Sequence, residues 1–179
     1  MDNKIIAEML THVACCTHND VKEVLFVGKN EFIVKELAKY KNLVITQTDK
    51  LDATHEDKFD VVLNDTISND ITNIYRSLKK DGIYCGLSEN VCNTEVVKQT
   101  YTSYGKLFTI VMPYVAMTDS MQSIASFVLL SKKLHPTADI HLDKSDFLEG
   151  LHYYSSDIQR SAFEMPTFVR ENLLGVIKR

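Results

Sequence analysis

The 179-residue sequence contains no tryptophan, only three prolines and six glycines, and no apolar run approaching the ~20 residues that a membrane-spanning helix needs. Its longest such runs, Phe127 to Leu130 among them, are far too short, so no membrane partner is expected. Internal repeats and low-complexity segments are also missing. The four cysteines (Cys15, Cys16, Cys85 and Cys92) show no C-x-x-C spacing and lie mostly among apolar neighbours. Buried free thiols in a reducing, cytoplasmic setting are therefore expected, with no metal site. Basic charge is not in excess either: a net charge of -4 argues against a nucleic-acid partner, which would call for a basic stripe. No signal peptide is expected, because Met1 to Lys4 leads straight into an amphipathic helix pattern. What is present, 45% hydrophobic and 25% charged residues, is the composition of a globular protein, and the length suits a single domain over residues 1–179.

The chain is organised around Lys22 to Tyr40. Val24 to Val27 form a short apolar run ending at Gly28, which suits a strand buried on both faces of a parallel sheet. Ile33, Leu37 and Tyr40 then recur at helical spacing on a helix that Asn30 can cap. A strand, a tight turn and a helix in that order place turn amides and a helix N-terminus at the strand's carboxyl end, the usual start of a nucleotide-binding α/β unit. Glycine is scarce here as elsewhere, since only Gly28 stands where such turns carry several.

Before this unit, Ile6, Met9, Leu10 and Val13 mark one face of a helix ending near Thr17. His12 and His18 fall on different faces of it, so packing rather than metal ligation is expected. After the unit, Leu43 to Thr46 and Phe59 to Asp65 are strand candidates, separated by too few residues for a full helix. From Asp70 a helix pattern (Ile71, Ile74, Tyr75, Leu78) runs to Lys79 and Lys80, with Gly82 as its stop. Ile83 to Leu87 is the next strand and Glu95 to Tyr104 the next helix. Leu107 to Met112 and Ser123 to Leu130 follow with no helix between them, so one is antiparallel, and the loop from Pro113 to Gln122 is a natural lid. Asp157 to Phe163 and Pro166 to Leu174 read as short terminal helices.

Three stretches resemble the spermidine synthases, the polyamine aminopropyltransferases. Glu8-Met9-Leu10-Thr11-His12-Val13 with Thr17-His18 is similar to the family's HEMLTHVPLxTHPNP. Lys58 to Thr66 resembles its YDVIIVDSTDP strand end, and Leu151 to Pro166 (LHYYSSDIQRSAFEMP) resembles its LKYYNPEIHKAAFVLP. The resemblance implies an α/β fold, a methyltransferase-like (Rossmann-like), mostly parallel sheet with an antiparallel last strand, here without the family's N-terminal β-domain. By spacing, Leu43 to Thr46 fits either the second or the third strand of the family's seven-stranded sheet; as the second, it would set Gln47 near the acid that holds the ribose.

The implied reaction transfers an aminopropyl group from decarboxylated S-adenosylmethionine, a co-substrate rather than a prosthetic group, to putrescine, releasing methylthioadenosine. Matched position by position, Asp65 falls on the first aspartate of DSTDP and Glu89 on the glutamate of the family's Q-x-E stretch, and both are implied as catalytic. Gly28, Glu31 (the acid of the GGGDGG turn) and Asp49 (which contacts the adenine amine) are implied as nucleoside-binding. Ser68 replaces the second aspartate of DSTDP, the family's general base, and Asn69 its proline. Ile6-Ala7 replaces a Tyr-His pair and Leu87 the glutamine of Q-x-E. A homologue without activity, kept for binding or structure, is the alternative, and a methyltransferase using S-adenosylmethionine a third. A dimer or tetramer is expected from apolar surface at Ile5, Ile6 and Met9.

Overall fold

In the computed structural model, residues 2–51, 54–68, 70–118 and 124–179 are described. Thirteen elements follow one another among them: α1 (Asp2–Thr17), β1 (Glu23–Val27), α2 (Glu31–Leu37), β2 (Val44–Thr48), β3 (Phe59–Asn64), α3 (Ile71–Ser77), β4 (Leu78–Leu87), α4 (Thr94–Tyr104), β5 (Ile110–Met117), β6 (Ile124–Ser131), α5 (Leu142–Ser145), α6 (Ser156–Ala162) and α7 (Thr167–Asn172). The strands form one sheet in the order β2-β1-β3-β4-β6-β5, parallel except for β6, which runs antiparallel to both its neighbours. This is the expected methyltransferase-like sheet with one antiparallel strand. Among the described residues no strand precedes α1.

Side chains alternate between two apolar clusters, one on each face of the sheet. Val24, Phe26, Val61 and Leu63 join α1 and α2 on one face, whereas Leu25, Val27, Val62 and Tyr84 join α4 and α7 on the other. Two aspartates, Asp60 on β3 and Asp65 just beyond its end, fasten β1 at both ends. Asp60 Oδ2 accepts the Lys22 and Glu23 amides at 2.9 and 2.8 Å, while Oδ1 holds Lys79 Nζ at 2.8 Å. Asp65 does the corresponding work at the far end of β1.

α1 is more than an amphipathic helix. From Ala7 to Thr17 every residue is buried, Glu8 and His12 included. Glu8 is satisfied by the tail: its carboxylate accepts the amides of His152, Tyr153 and Tyr154 at 2.8, 2.7 and 2.9 Å. His12 lies between Tyr40 (Nδ1 to Oη, 2.8 Å) and Glu36 (Nε2 to Oε2, 2.9 Å), a packed and hydrogen-bonded role. Of the three residues expected to offer apolar surface to a second copy, Ile5 and Met9 are 2% and 0% exposed and Ile6 is half-buried, so that surface is largely covered. α2 and the tail cover it instead.

Several boundaries differ from the expectations. α3 stops at Ser77, because Leu78 pairs with Phe59 and opens β4 five residues before Ile83. Gly82 is thus inside a strand rather than at a helix stop. The register shifts there, the two steps from Phe59 to Val61 facing the five from Leu78 to Ile83, so β4 bulges, and a Cβ at Gly82 would press on Leu78 at 2.9 Å. β5 begins at Ile110 and runs through Pro113 to Met117, where a lid was expected, and 119–122 lie outside the described residues. Proline is tolerated there by the phase of the strand. Val111 exchanges both backbone bonds with Lys178 on the outer edge, so Pro113, two residues on, directs its nitrogen outward and no sheet bond is lost. Of the cysteines three are buried as expected and Cys92 is exposed. The four-residue helix α5 had no periodic signal.

β2 pairs in parallel directly with β1, Glu23 to Val27 facing Val44 to Thr48, the place expected of a second rather than a third strand. Among the described residues no strand lies beyond it.

Candidate active site

The carboxyl ends of β1, β2 and β3 meet at Gly28. Its φ of +137° is open to glycine and costly for other residues. The turn needs that freedom because Asp65 lies directly over it: Asp65 Oδ2 accepts the amides of Lys29 and Asn30 at 2.8 and 2.7 Å. A carboxylate therefore sits where such turns present their amides to a ligand. Asn30 caps α2 as expected, its side chain accepting the Phe32 amide at 3.1 Å, and its Nδ2 donates to the Asn3 carbonyl.

β2 contributes two more contacts. Gln47 Nε2 donates to the Gly28 carbonyl at 3.0 Å, so its side-chain amide is spent on the turn itself. Asp49 pairs with Lys29 Nζ at 3.2 Å, both largely exposed, beside the carboxyl ends of β1 and β2. Glu31 is exposed in the first turn of α2.

Glu89 stands apart from this group. It lines a recess of about 110 Å³ with Ile67, Ser88, Val97, Tyr101 and Tyr104, between the end of β4 and α4. Tyr101 and Tyr104 stack at 5.5 Å between centroids, and Tyr101 Oη lies 3.0 Å from Ser88 Oγ. Burial, reinforced by the Glu89 charge, pushes the Tyr104 phenol up to about 12. Ser68 connects recess and crevice. Its carbonyl accepts Tyr104 Oη at 3.1 Å and its hydroxyl accepts the Asp70 amide at 3.2 Å, while Asp65 lies three residues earlier on the same loop. Asn69 lies outside the described residues.

The structure thus brings Gly28, Asp65 and, through Lys29, Asp49 together, and leaves Glu31 at the rim and Glu89 in its own recess. Position matching did not single out Tyr101 and Tyr104, which fell within the expected helix from Glu95 to Tyr104, and it placed Gln47 only near the acid that holds the ribose. The Val97-Tyr101-Tyr104 spacing carried the signal, since it sets both rings above the end of β4.

A six-stranded Rossmann-like sheet with a glycine turn under a strand-end acid defines a protein of the methyltransferase-like class. No family model matches the chain. A polyamine aminopropyltransferase of Helicobacter acinonychis is 29% identical over 206 residues, covering 97% of this chain and 78% of its own length. One from Clostridium kluyveri is 25% identical, with 95% and 78% covered. Spermidine synthase from Thermotoga maritima superposes with a TM-score of 0.85 at 22% identity, over 96% of this chain and 75% of that one. A spermidine synthase in complex with the transition-state analogue AdoDATO matches equally well, with a TM-score of 0.85 at 21% identity. The chain is thus similar to polyamine aminopropyltransferases over nearly its whole length and shares the fold of the spermidine synthases.

Proposed function

We propose that this protein transfers an aminopropyl group from decarboxylated S-adenosylmethionine to a primary amine, with putrescine as the acceptor, and that it does so slowly. The observation carrying this reading is the shared loop from Asp65 to Ser68. One end is planted on the Gly28 turn, and the other backs onto the recess of Glu89, Tyr101 and Tyr104. A nucleoside over Gly28, between the ends of β1 and β2 with Asp49 at its adenine end, would direct its sulfonium arm along this loop. An ammonium suits the recess, where Glu89 supplies charge and the stacked tyrosines supply ring faces.

In the transfer, the amine lone pair attacks the methylene carbon beside the sulfonium, the carbon–sulfur bond breaks, and methylthioadenosine leaves neutral. The new secondary ammonium carries the extra proton away or yields it to a base. An amine with a pKa near ~10 must also be deprotonated before it can attack. The hydroxyl of Ser68 cannot accept that proton at neutral pH, so water or the Glu89 carboxylate does.

The second reading, a scaffold without activity, is favoured by the occupied turn. Asp65 already holds the Lys29 and Asn30 amides, and Lys29 bridges to Asp49 across the mouth. Calorimetric titration with decarboxylated S-adenosylmethionine, S-adenosylmethionine and methylthioadenosine, alongside a turnover assay with putrescine, separates the two. Binding of the first and third with measurable product supports transfer. Binding of S-adenosylmethionine in preference to both points to methyl transfer, and no binding leaves the scaffold.

A further inference from the structure

The two edges of the sheet are treated differently. Along β5, Lys178, next to the last residue, exchanges both backbone bonds with Val111 and covers the edge there. Among the described residues β2 has no such cover, and its residues Val44 and Ile45 are 55% and 37% exposed. The strand Val-Ile-Thr-Gln-Thr carries no lysine, proline or bulge of the kind that blunts an open edge.

The phase of its hydrogen bonds defines what can pair there. The Val44 amide donates to the Lys22 carbonyl, and the Thr48 carbonyl accepts from Gly28, both toward β1. Alternation then turns the amides and carbonyls of Ile45 and Gln47 outward, with those of Leu43 one step before. Among the described residues, no backbone group bonds them on that side.

We propose that β2 pairs antiparallel with β2 of a second copy about a two-fold axis at Ile45, joining the two sheets into one. With Ile45 opposite itself, Leu43 falls opposite Gln47 of the second copy, and every outward residue meets another outward residue in a pair that exchanges both backbone bonds. Val44 and Thr46 become cross-strand neighbours, a β-branched pairing suited to a sheet. This register alone pairs all three outward residues of each copy; sliding by two either way sets Leu43 against Asp49 or Gln47 against Lys41, both beyond the strand. A one-residue slip would face outward groups with groups already bonded to β1. The chain turns at Asn42, whose φ is +62°, so Lys41 leaves the strand near the Asp49 end of the other copy. An isologous pair closes on itself and uses up both β2 edges. Exposed ion pairs add little affinity, so the backbone bonds hold the strands. The contact is short compared with the ~1,600 Å² of a standard interface, so the dimer is weak and concentration-dependent. It brings Lys41 of the second copy beside Asp49, in competition with Lys29.

Sedimentation across a concentration series tests this, together with amide exchange read at Ile45 and Gln47. Expected is a monomer–dimer equilibrium in which those two amides become protected as the dimer fills. Ile45→Lys sets two like charges face to face on the axis and raises the dissociation constant at least about tenfold. Lys41→Asp weakens the dimer, and adding Asp49→Lys to it restores association, which a merely destabilised chain would not do. A monomer at every concentration overturns the proposal. A dimer that is unmoved by Ile45→Lys, or whose Ile45 and Gln47 amides still exchange freely, overturns it equally.

Discussion

Oδ1 of Asp65 lies so close over Gly28 that a Cβ at that glycine would stand 1.8 Å from it. With φ at +137°, the turn and the acid require one another. Gly28→Ala is expected to cost on the order of 1–3 kcal/mol and to push Asp65 off the Lys29 and Asn30 amides. Urea unfolding reads the first effect and methylthioadenosine calorimetry the second, as lost binding. An alanine variant as stable as the parent would show that the turn relaxes independently of Asp65.

Asp65→Asn separates the anchoring role of this residue from an amine contact. The amide keeps the shape and one acceptor oxygen, so only about 1 kcal/mol of stability is expected to go with the charge. In a working transferase the KM for putrescine rises while methylthioadenosine affinity changes little. Equal losses in both would assign Asp65 to the turn alone.

Placing a carboxylate at position 68 addresses the proton. General-base assistance is typically worth ~100 to 10,000-fold, so Ser68→Asp is expected to raise transfer measurably. The pH–rate profile of the parent should climb toward the pKa of the amine, and that of the variant should flatten near neutrality. A parent with a flat profile would mean that Glu89 or Asp65 already accepts the proton.

Acid sensitivity follows from three histidines. Burial holds His12, His18 and His135 below the usual 6.5, although Glu36, Asp60 with Asp81, and Asp139 respectively pull the other way. The unfolded chain therefore binds protons at a higher pH than the folded one. Stability is full above 6.5 and falls as pH drops through 6.5 toward the folded values. Burial would raise Glu36 and Asp60, but their partners His12, Lys39 and Lys79 hold both below their ordinary 4.5 and 3.8, so a second decline follows at lower pH. Denaturant midpoints across pH measure both, and His12→Gln should remove part of the first decline. An unchanged slope in that variant would assign it to the other two histidines.

The core of the sheet was readable because β1 and β3 are buried on both faces and carry uninterrupted apolar runs, and because Gly28 and Asn30 mark the turn between strand and helix. Less readable was whatever long-range pairing decided. Leu78 continues the helical period of Ile71 and Ile74, yet its partner is Phe59, and no local pattern announces a strand that begins there. Pro113 likewise suggested a loop until the outward phase of its nitrogen was known. At the site, Asp65 and Gly28 were found by motif position, but their mutual contact was not, since it depends on the register of β1 against β3. Gln47 and the Tyr101–Tyr104 pair lie on elements whose neighbours are set by sheet order rather than by spacing.

The grip of Glu8 on the amides of His152, Tyr153 and Tyr154 has a consequence for synthesis. The residues it joins are 144 to 146 positions apart, so a growing chain leaves the ribosome with this acid exposed until nearly the whole polypeptide has emerged. Burying an ionised carboxylate without partners is prohibitively costly, so α1 cannot take its final place early. The parallel strands can begin to pair while the first helix waits outside. Its arrival with the tail is then the closing step, and a chain ended before residue 152 would be left open at its first helix rather than at its last.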